Sequence, residues 1–195
     1  MSHAFPPTAG PELTSLARQA IGHRLKVAGF PAVGPPAGWM RADGACFVTL
    51  TSGGALRGCI GSLEAYRPLG QDVVRNAQAA AFEDPRFPPL AVAEFEHVAI
   101  EVSVLSVPEP FEVATEADLL DGLHPGTDGL IFAARGRRAT FLPQVWDDLP
   151  DRRVFVAQLK RKAGLAADYW GDDVRLWRYR VTAFTETSPG KPTAE

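Results

Sequence analysis

The sequence predicts an α+β fold, with a largely antiparallel β-sheet and helices packed on it. Segments with the alternation typical of strands are mixed with segments of helical periodicity, and two pairs of strand-like segments are joined by Gly-containing turns. The strict alternation of strands and helices that indicates a parallel sheet is missing. The chain has 195 residues, of which 46% are hydrophobic and 22% charged. This is the composition of an ordinary globular protein, long enough to bury a core without disulfides or a structural metal.

The first half of the chain predicts two helices, a hairpin and a further strand. Apolar residues recur at helical spacing over Pro11–Phe30, and Gly29 is suited to cap the end of this helix. The segments CFVTL and ALRGCIGSL, separated by TSGG, predict a β-hairpin. Pro68 can occupy the first turn of a second helix, which is Ala-rich and stops at DPRFPP. The alternation in HVAIEVSVLSV predicts a half-buried strand. Its core-facing residues are Val98, Ile100, Val102 and Val104.

The second half predicts two more helices, a second hairpin and a last strand. Thr115 and Asp118 match a capped helix start, and Asp151 can cap a later helix through RRVFVAQLKRKAGL. The segments GLIFAA and ATFL, joined by a Gly/Arg turn at Arg135–Arg138, predict the hairpin. VRLWRYRVTAF then predicts a single last strand.

Both ends of the sequence are rich in Pro, Gly and Ser and are expected to be flexible. The flexible segments are residues 1–10 and 187–195, which leaves a single predicted domain over residues 11–186. The N-terminus lacks the basic and apolar regions of a secretory signal, and no stretch approaches the roughly 20 apolar residues of a membrane span. We therefore expect a cytoplasmic protein.

The two cysteines, Cys46 and Cys59, are expected to be free thiols in a reducing compartment. They lack the CxxC spacing or Cys/His clustering of zinc sites. The sequence also has no phosphate-binding Gly loop and no Ser/His/Asp order, so no cofactor is predicted. The four histidines are expected in surface or capping roles, because none has a spacing that ties it to Cys59. They are His3, His23, His97 and His124.

Charge is unevenly distributed, although the formal net charge is only -3. Residues 1–134 carry 8 basic and 15 acidic side chains, whereas residues 135–180 carry 11 basic and 6 acidic ones. One interpretation is that these are solvated faces that neutralise each other in the fold. The other is a basic surface for an anionic partner such as a nucleic acid. Its residues would be Lys160, Arg161, Lys162, Arg178 and Arg180.

The segment Leu56–Gly61, LRGCIG, is the least ordinary stretch of the chain. Two glycines interrupt a predicted strand, which costs stability unless a bulge or the close approach of another group requires them. Alternation places Leu56, Gly58 and Ile60 on one face, and Arg57, Cys59 and Gly61 on the other. A cation near a thiol favours the thiolate, which makes Cys59 the first nucleophile candidate. The alternative is that Cys59 is a small residue of the core.

The residue opposite Cys59 in the hairpin depends on the turn. A two-residue or four-residue turn centred on Ser52-Gly53 places Cys46 opposite Cys59, and a Gly53-Gly54 turn places Val48 there. A pair of thiols is therefore one of two predicted arrangements.

Further candidates follow the Ala-rich helix and lie on the next strand. Asp84, Arg86 and Phe87 either end the helix, or direct Arg86 toward an anion beside the glycine-containing strand. Glu101 and Ser103 interrupt the apolar alternation of their strand and point to the same side.

Glu101 is expected to pair with Arg57 or Arg86. Such a pair would orient a site, or the acid would only balance one of these arginines.

In this order, the motifs FVTL, LRGCIGSLE, DPRFPPL, IEVSVLSVPEP, DGLI, FLPQVW and KAGL resemble the AMMECR domain family. Its bacterial and archaeal members are called AmmeMemoRadiSam system protein A. The resemblance covers roughly Pro11 to Glu186. It implies an α+β fold with a larger and a smaller subdomain. It also implies cooperation with a Memo-like protein and a radical-SAM enzyme.

The resemblance assigns the family's characteristic surface to ten residues of this sequence. They are Ile60 and the nine candidate site residues that follow. The candidate catalytic residues are Cys59, Arg57 and Glu101. The candidate binding residues are Gly58, Gly61, Asp84, Arg86, Phe87 and Ser103. The chain departs from the pattern twice: Cys46 replaces an aliphatic or glycine residue, and KAGL lacks the cysteine that often precedes it.

Three functions follow as hypotheses. The first is a component of a modification system in which Cys59 is a nucleophile or carrier for a small-molecule or protein-conjugate substrate. The second is a non-catalytic adaptor that docks the Memo-like or radical-SAM partner through the glycine-containing strand or the acidic segment Leu90–Ala134. The third is a nucleic-acid-binding protein.

Overall fold

Two antiparallel four-stranded sheets organise residues 5–186, the part of the chain that this computed structural model describes. The chain divides into a larger unit, which reaches Leu105 and resumes at Thr182, and a smaller unit, Ser106–Val181. The predicted α+β class with a larger and a smaller subdomain is therefore confirmed.

In chain order, the described elements are α1 (Ala9–Leu25), β1 (Cys46–Ser52), β2 (Ala55–Gly61), α2 (Leu69–Phe82), β3 (Val98–Leu105), β4 (Glu109–Pro110), α3 (Glu116–Gly122), β5 (Gly129–Ala134), β6 (Arg137–Phe141), α4 (Val145–Asp148), α5 (Arg152–Lys162), β7 (Arg175–Tyr179) and β8 (Val181–Thr185). Short 3-10 helices lie at Gly38–Arg41 and Val92–Glu94.

The larger unit packs α1 and α2 against a sheet with the strand order β2-β1-β3-β8. The alternation predicted for β3 is confirmed, because its four core-facing residues are at most 4% exposed. They pack with Val48 and Leu50 of β1, which are fully buried. Arg18 of α1 is also buried and donates to the main-chain oxygens of Phe95 and Val98, which ties the helix to the start of β3.

The first helix begins and ends earlier than predicted. It ends at Leu25 because Lys26 adopts a left-handed conformation, with φ of 58°, and its amide returns to the last turn. Gly29 is therefore not the cap. The predicted flexible ends lie mainly outside the described residues, and within residues 5–10 the helix has already begun at Ala9. The single-domain boundaries stay a prediction.

The smaller unit has the strand order β4-β7-β5-β6 around its own core, in which Trp146 stacks on Phe155 at 3.6 Å. The caps predicted at Thr115 and Asp151 are confirmed, since both side chains accept hydrogen bonds from main-chain amides of the first turn. The predicted single last strand is wrong. Arg180 separates β7 from β8, and these two strands belong to different sheets.

Among residues 5–186, none of the helices combines the length and the apolar character required to cross a membrane.

Candidate functional site

The hairpin of β1 and β2 has a tight turn and a bulge that together set the position of Cys59. Ser52 pairs with Ala55, so the turn is Gly53-Gly54, and both glycines have positive φ. Between Leu50 and Thr51 the register shifts by one residue, because β2 carries an extra residue at Arg57. Cys59 therefore lies opposite Thr49.

Neither predicted partner of Cys59 is correct, since the bulge moves the register one residue beyond Val48. Cys46 instead pairs with Val104 of β3. Both thiols are free, as predicted.

The predicted close approach to the glycines of β2 is confirmed at both positions. A Cβ atom on Gly58 would lie 2.2 Å from the main-chain oxygen of Ala80, so only glycine allows β2 to pack this closely on α2. A Cβ atom on Gly61 would lie 2.2 Å from the ring of Phe47, which occupies the space above this glycine.

The Asp84 and Arg86 side chains bind the main-chain amide and carbonyl of Cys59, respectively. Asp84 Oδ2 accepts from the Cys59 amide at 2.9 Å, and Arg86 Nη2 donates to the Cys59 carbonyl at 3.2 Å. Arg86 also donates to both carboxylate oxygens of Asp84, at 2.9 and 2.7 Å. Since β2 is an edge strand, these side chains occupy main-chain groups that a neighbouring strand would otherwise bind.

The Asp84 carboxylate, which accepts from the Cys59 amide and from Arg86, is buried and stays ionised. The Arg86 guanidinium holds the pKa of Asp84 well below its usual range, and the amides of Cys59 and Arg86 add to this effect against the cost of burial. Cys59 thus occupies a fixed position although its strand lies at the edge of the sheet.

Cys59 is half-buried, and its thiol has two polar neighbours. Thr49 Oγ1 donates to its sulfur at 3.4 Å. The pKa of Arg86 is raised chiefly by Asp84, and the Cys59 side chain contributes in smaller measure, so guanidinium and thiol are neighbours. Cys46 is different, because burial raises the pKa of its thiol far above the usual range. Cys59 is thus the cysteine suited to chemistry at the surface.

Arg57 pairs with Glu94, a residue that the sequence reasoning missed. Glu94 accepts from Arg57 Nε at 2.8 Å and from Nη2 at 3.1 Å. The Arg57 side chain is 12% exposed, and its Nη1 is buried without a hydrogen-bond partner in the described part of the chain. The Phe87 ring lies between the two arginines, 5.9 Å from Arg57 and 5.5 Å from Arg86. Arg86 is therefore the arginine that the structure places on Cys59.

Glu101 belongs to the same row of the sheet as Cys59, but it does not orient an arginine. Thr49 pairs with Cys59 on one side and with Glu101 on the other, so the three residues share one face of the sheet. Glu101 accepts from Ser103 Oγ and from Thr185 Oγ1, both at 3.2 Å. The expected ion pair with an arginine is wrong, because Glu94 and Asp84, which lie outside the strands of the sheet, bind the two guanidinium groups.

Comparison with known protein families identifies the family of this chain. Residues 14–184 match the family model described as AMMECR1. The chain belongs to the AMMECR1 family. The match extends over both units.

Several AMMECR1 relatives are archaeal. A protein of Methanopyrus kandleri is 35% identical, with 95% of this chain and 92% of that protein covered. A protein of Thermofilum pendens is 41% identical over 69% of this chain, and the match spans 64% of that longer relative, less than two thirds of its length. The crystal structure of the uncharacterized protein PH0010 from Pyrococcus horikoshii has a TM-score of 0.74 and is 33% identical, and 93% of this chain and 94% of that one are covered.

In this AMMECR1 chain, Thr49 and Glu94 complete the surroundings of the LRGCIG strand. Thr49 could have been identified only with knowledge of the bulge. Glu94 lies in the short 3-10 helix before β3, and its spacing from Arg57 carries no local signal. Ser103 is 2% exposed and pairs with Phe47, which makes it part of the packed sheet.

The remaining candidates of this AMMECR1 chain lie elsewhere. Lys160 is fully buried in the smaller unit and lies 2.8 Å from Glu116, so its predicted place on a basic surface is wrong. Of the histidines, His124 contacts Asp128 at 3.0 Å in the smaller unit, and His3 lies outside the described residues. Across residues 5–186, no three His, Cys, Asp or Glu side chains are grouped so that they could hold a metal ion.

Proposed function

We propose that this AMMECR1 protein is a component of a modification system in which Cys59 acts as a nucleophile or carrier. The observation that carries the proposal is the half-buried Cys59, whose main chain is held by Asp84 and Arg86 while Thr49 donates to its sulfur. A fixed backbone with a free sulfur is the arrangement that a nucleophile requires, because the geometry of attack is set before the substrate arrives.

The charges around Cys59 support this role. Arg86 and Thr49 place a positive charge and a hydroxyl donor beside the sulfur, and both can stabilise negative charge at the reacting centre. The Arg86 side chain is 53% exposed, so part of its guanidinium can also meet an anionic group of a substrate. The site therefore favours a substrate that presents an electrophilic carbon near a carboxylate or phosphate.

In an acyl transfer, the step is simple to balance. The Cys59 sulfur forms a bond to the carbonyl carbon of a thioester or acyl phosphate, and the bond from that carbon to the leaving group breaks. The leaving group takes the electron pair, and the thiol proton goes to solvent.

Alkylation of the native protein tests the proposal, with Cys46 as an internal control. Iodoacetamide at pH 7.5 is expected to modify Cys59 in the folded protein, and Cys46 only after unfolding in urea, as followed by mass spectrometry of tryptic peptides. Arg86→Gln should slow modification of Cys59 at least threefold, because it removes the neighbouring positive charge. The matched variant Arg75→Gln removes an exposed arginine that pairs with Glu83 and should leave the rate unchanged. A Cys59 that resists alkylation until the protein unfolds would end the proposal.

The partners belong to the same proposal, in which a Memo-like protein and a radical-SAM enzyme act with this chain. Purified candidates can be tested by co-purification with the tagged wild-type protein. In the mixture, the substrate should carry an acyl or other modification with the wild-type protein and lose it with Cys59→Ser. If the complex stays intact in the variant, this loss supports a chemical role. An unmodified substrate in the wild-type mixture contradicts it.

An adaptor role is the second candidate, and exposed apolar side chains favour it. Leu56 of β2 and Leu63 after it are each 43% exposed, and Tyr66 is 65% exposed. Exposed apolar side chains such as these can contribute contacts to a docked partner. If this candidate is correct, Leu63→Asp should abolish co-purification with the partner, whereas Cys59→Ser should not. Equal recovery with Leu63→Asp would contradict it.

A further inference from the structure

A cavity lies within the smaller unit, where β4 ends beside β7. It has a volume of about 600 Å³, which is in the range of small-molecule and side-chain binding sites. The side chains that matter for its chemistry are those of Phe111, Glu112, Trp170, Asp172, Arg175 and Trp177. None of them belongs to the LRGCIG site.

Three aromatic rings dominate the lining, and two of them carry unused donors. In the described part of the chain, the indole N–H groups of Trp170 and Trp177 have no hydrogen-bond partner. In contrast, Trp146 donates to the main-chain oxygen of Asp128, and Trp39 donates to Glu12. Indole faces attract cations because of their negative electrostatic potential.

The ionic groups of the lining also favour a cation. Among residues 5–186, the carboxylates of Glu112 and Asp172 have no ionic or hydrogen-bonding partner, and both residues are exposed. Arg175 is held against the backbone, since its Nη1 donates to the main-chain oxygens of Asp172 and Val174. Two carboxylates are thus free to meet a ligand, while the one cation of the lining is partly engaged.

Two of the three cations near the rings are paired with acids, and the third, Arg138, lies 5.9 Å from the centre of the Trp177 ring. Lys160 lies 5.6 Å from the centre of the Trp170 ring and 2.8 Å from Glu116. Arg178 lies 4.7 Å from the centre of the Phe111 ring and 3.7 Å from Asp128. These pairs add no net charge to the cavity.

We propose that this cavity binds an alkylammonium group, as carried by a lysine side chain of a partner polypeptide. The aliphatic stem packs on the indole rings, and the ammonium group lies against their faces and the carboxylates of Glu112 and Asp172.

The four tryptophan indole N–H signals provide the test, through NMR of the ¹⁵N-labelled full chain. The probe is Nα-acetyl-lysine N-methylamide, titrated at constant ionic strength. It should shift the signals of Trp170 and Trp177 in a saturable manner and leave those of Trp39 and Trp146 in place. Tryptophan-to-phenylalanine variants assign the four signals. The matched probe is Nα-acetyl-norleucine N-methylamide, which lacks the charge and should bind at least fivefold more weakly.

Two exposed carboxylates offer variants that do not disturb the core. Glu112→Gln and Asp172→Asn should each weaken binding about threefold or more, whereas Glu109→Gln, on the neighbouring strand, should not. n-Butylammonium distinguishes the source of the group: weaker binding than the lysine probe supports a peptide, and equal binding supports a free amine with the same chemistry. Equal binding of the norleucine probe, or shifts of all four indole signals, would overturn the proposal.

Discussion

A single methyl group at Gly58 is expected to destabilise the larger unit by about 3 kcal/mol. The added Cβ atom would lie 2.2 Å from the main-chain oxygen of Ala80 and 3.1 Å from its carbonyl carbon. Both atoms belong to the backbone of α2, so no side-chain rotation relieves the clash, and β2 and α2 must separate by about 1 Å to reach ordinary contact. Insertion of one carbon into a packed interior costs about 1–3 kcal/mol, and a clash with backbone belongs at the upper end.

Urea unfolding of Gly58→Ala, followed by circular dichroism and tryptophan fluorescence, measures this cost. A loss of about 3 kcal/mol corresponds to a fall in Tm of about 6–12 °C for a chain of this size. Gly38→Ala is the matched control, because a Cβ atom there meets open space and Gly38 does not require a positive φ. Stability of Gly58→Ala within about 0.5 kcal/mol of wild type would refute the close packing of β2 on α2.

Variants at three other positions test the charges of the fold. Because Arg86 lowers the pKa of Asp84 in the folded state, ionised Asp84 contributes stability above its unfolded pKa of about 3.9 and loses it as the pH falls further. Urea titrations between pH 2.5 and 6 should show this fall, and Asp84→Asn should flatten it; parallel curves would contradict the assignment. Glu94→Gln should cost about 1 kcal/mol, since it leaves Arg57 nearly buried without its counter-charge, although Glu94 itself is 40% exposed. Lys160→Met should stay within about 1 kcal/mol of wild type, whereas Lys160→Ala should lose about 3 kcal/mol, because the apolar stem fills the core; equal losses would point to the charge.

The sequence predictions that the structure confirms are those that depend on local chemistry. The alternation of β3 follows from burial of one face, and the caps at Thr115 and Asp151 follow from amides that need acceptors at a helix start. The glycines of LRGCIG indicated a close approach, and α2 and Phe47 supply it.

The register at Cys59 could not be read from the sequence, although one of the predicted turns is correct. The turn is Gly53-Gly54, but the extra residue at Arg57 shifts every later pair by one. This bulge lies next to Gly58, which packs against a helix that is distant in sequence. The register therefore depends on tertiary packing, which local alternation does not contain.

The partners of the arginines were missed for a related reason. Glu101 was the expected partner because it is an acid on a predicted strand. Side chains of β3 contact their neighbours across the sheet, however, and the neighbour of Glu101 there is Thr49. Glu94 and Asp84 lie in irregular segments, where spacing predicts no direction. Likewise, the helical periodicity of α5 does not reveal that Lys160 lies on its buried side, because a charged residue there becomes favourable only once Glu116 is beside it.

The insertion of residues 106–180 between β3 and β8 has a consequence for synthesis on the ribosome. The outer edge of β3 has no neighbour until the whole smaller unit has been translated, because β8 is the last strand made. A nascent chain therefore exposes an unpaired, Val-rich strand during the time that the inserted segment takes to emerge. The Glu101 and Ser103 side chains point away from the core and make one face of the unpaired β3 polar. This polar face discourages pairing of β3 with other nascent chains.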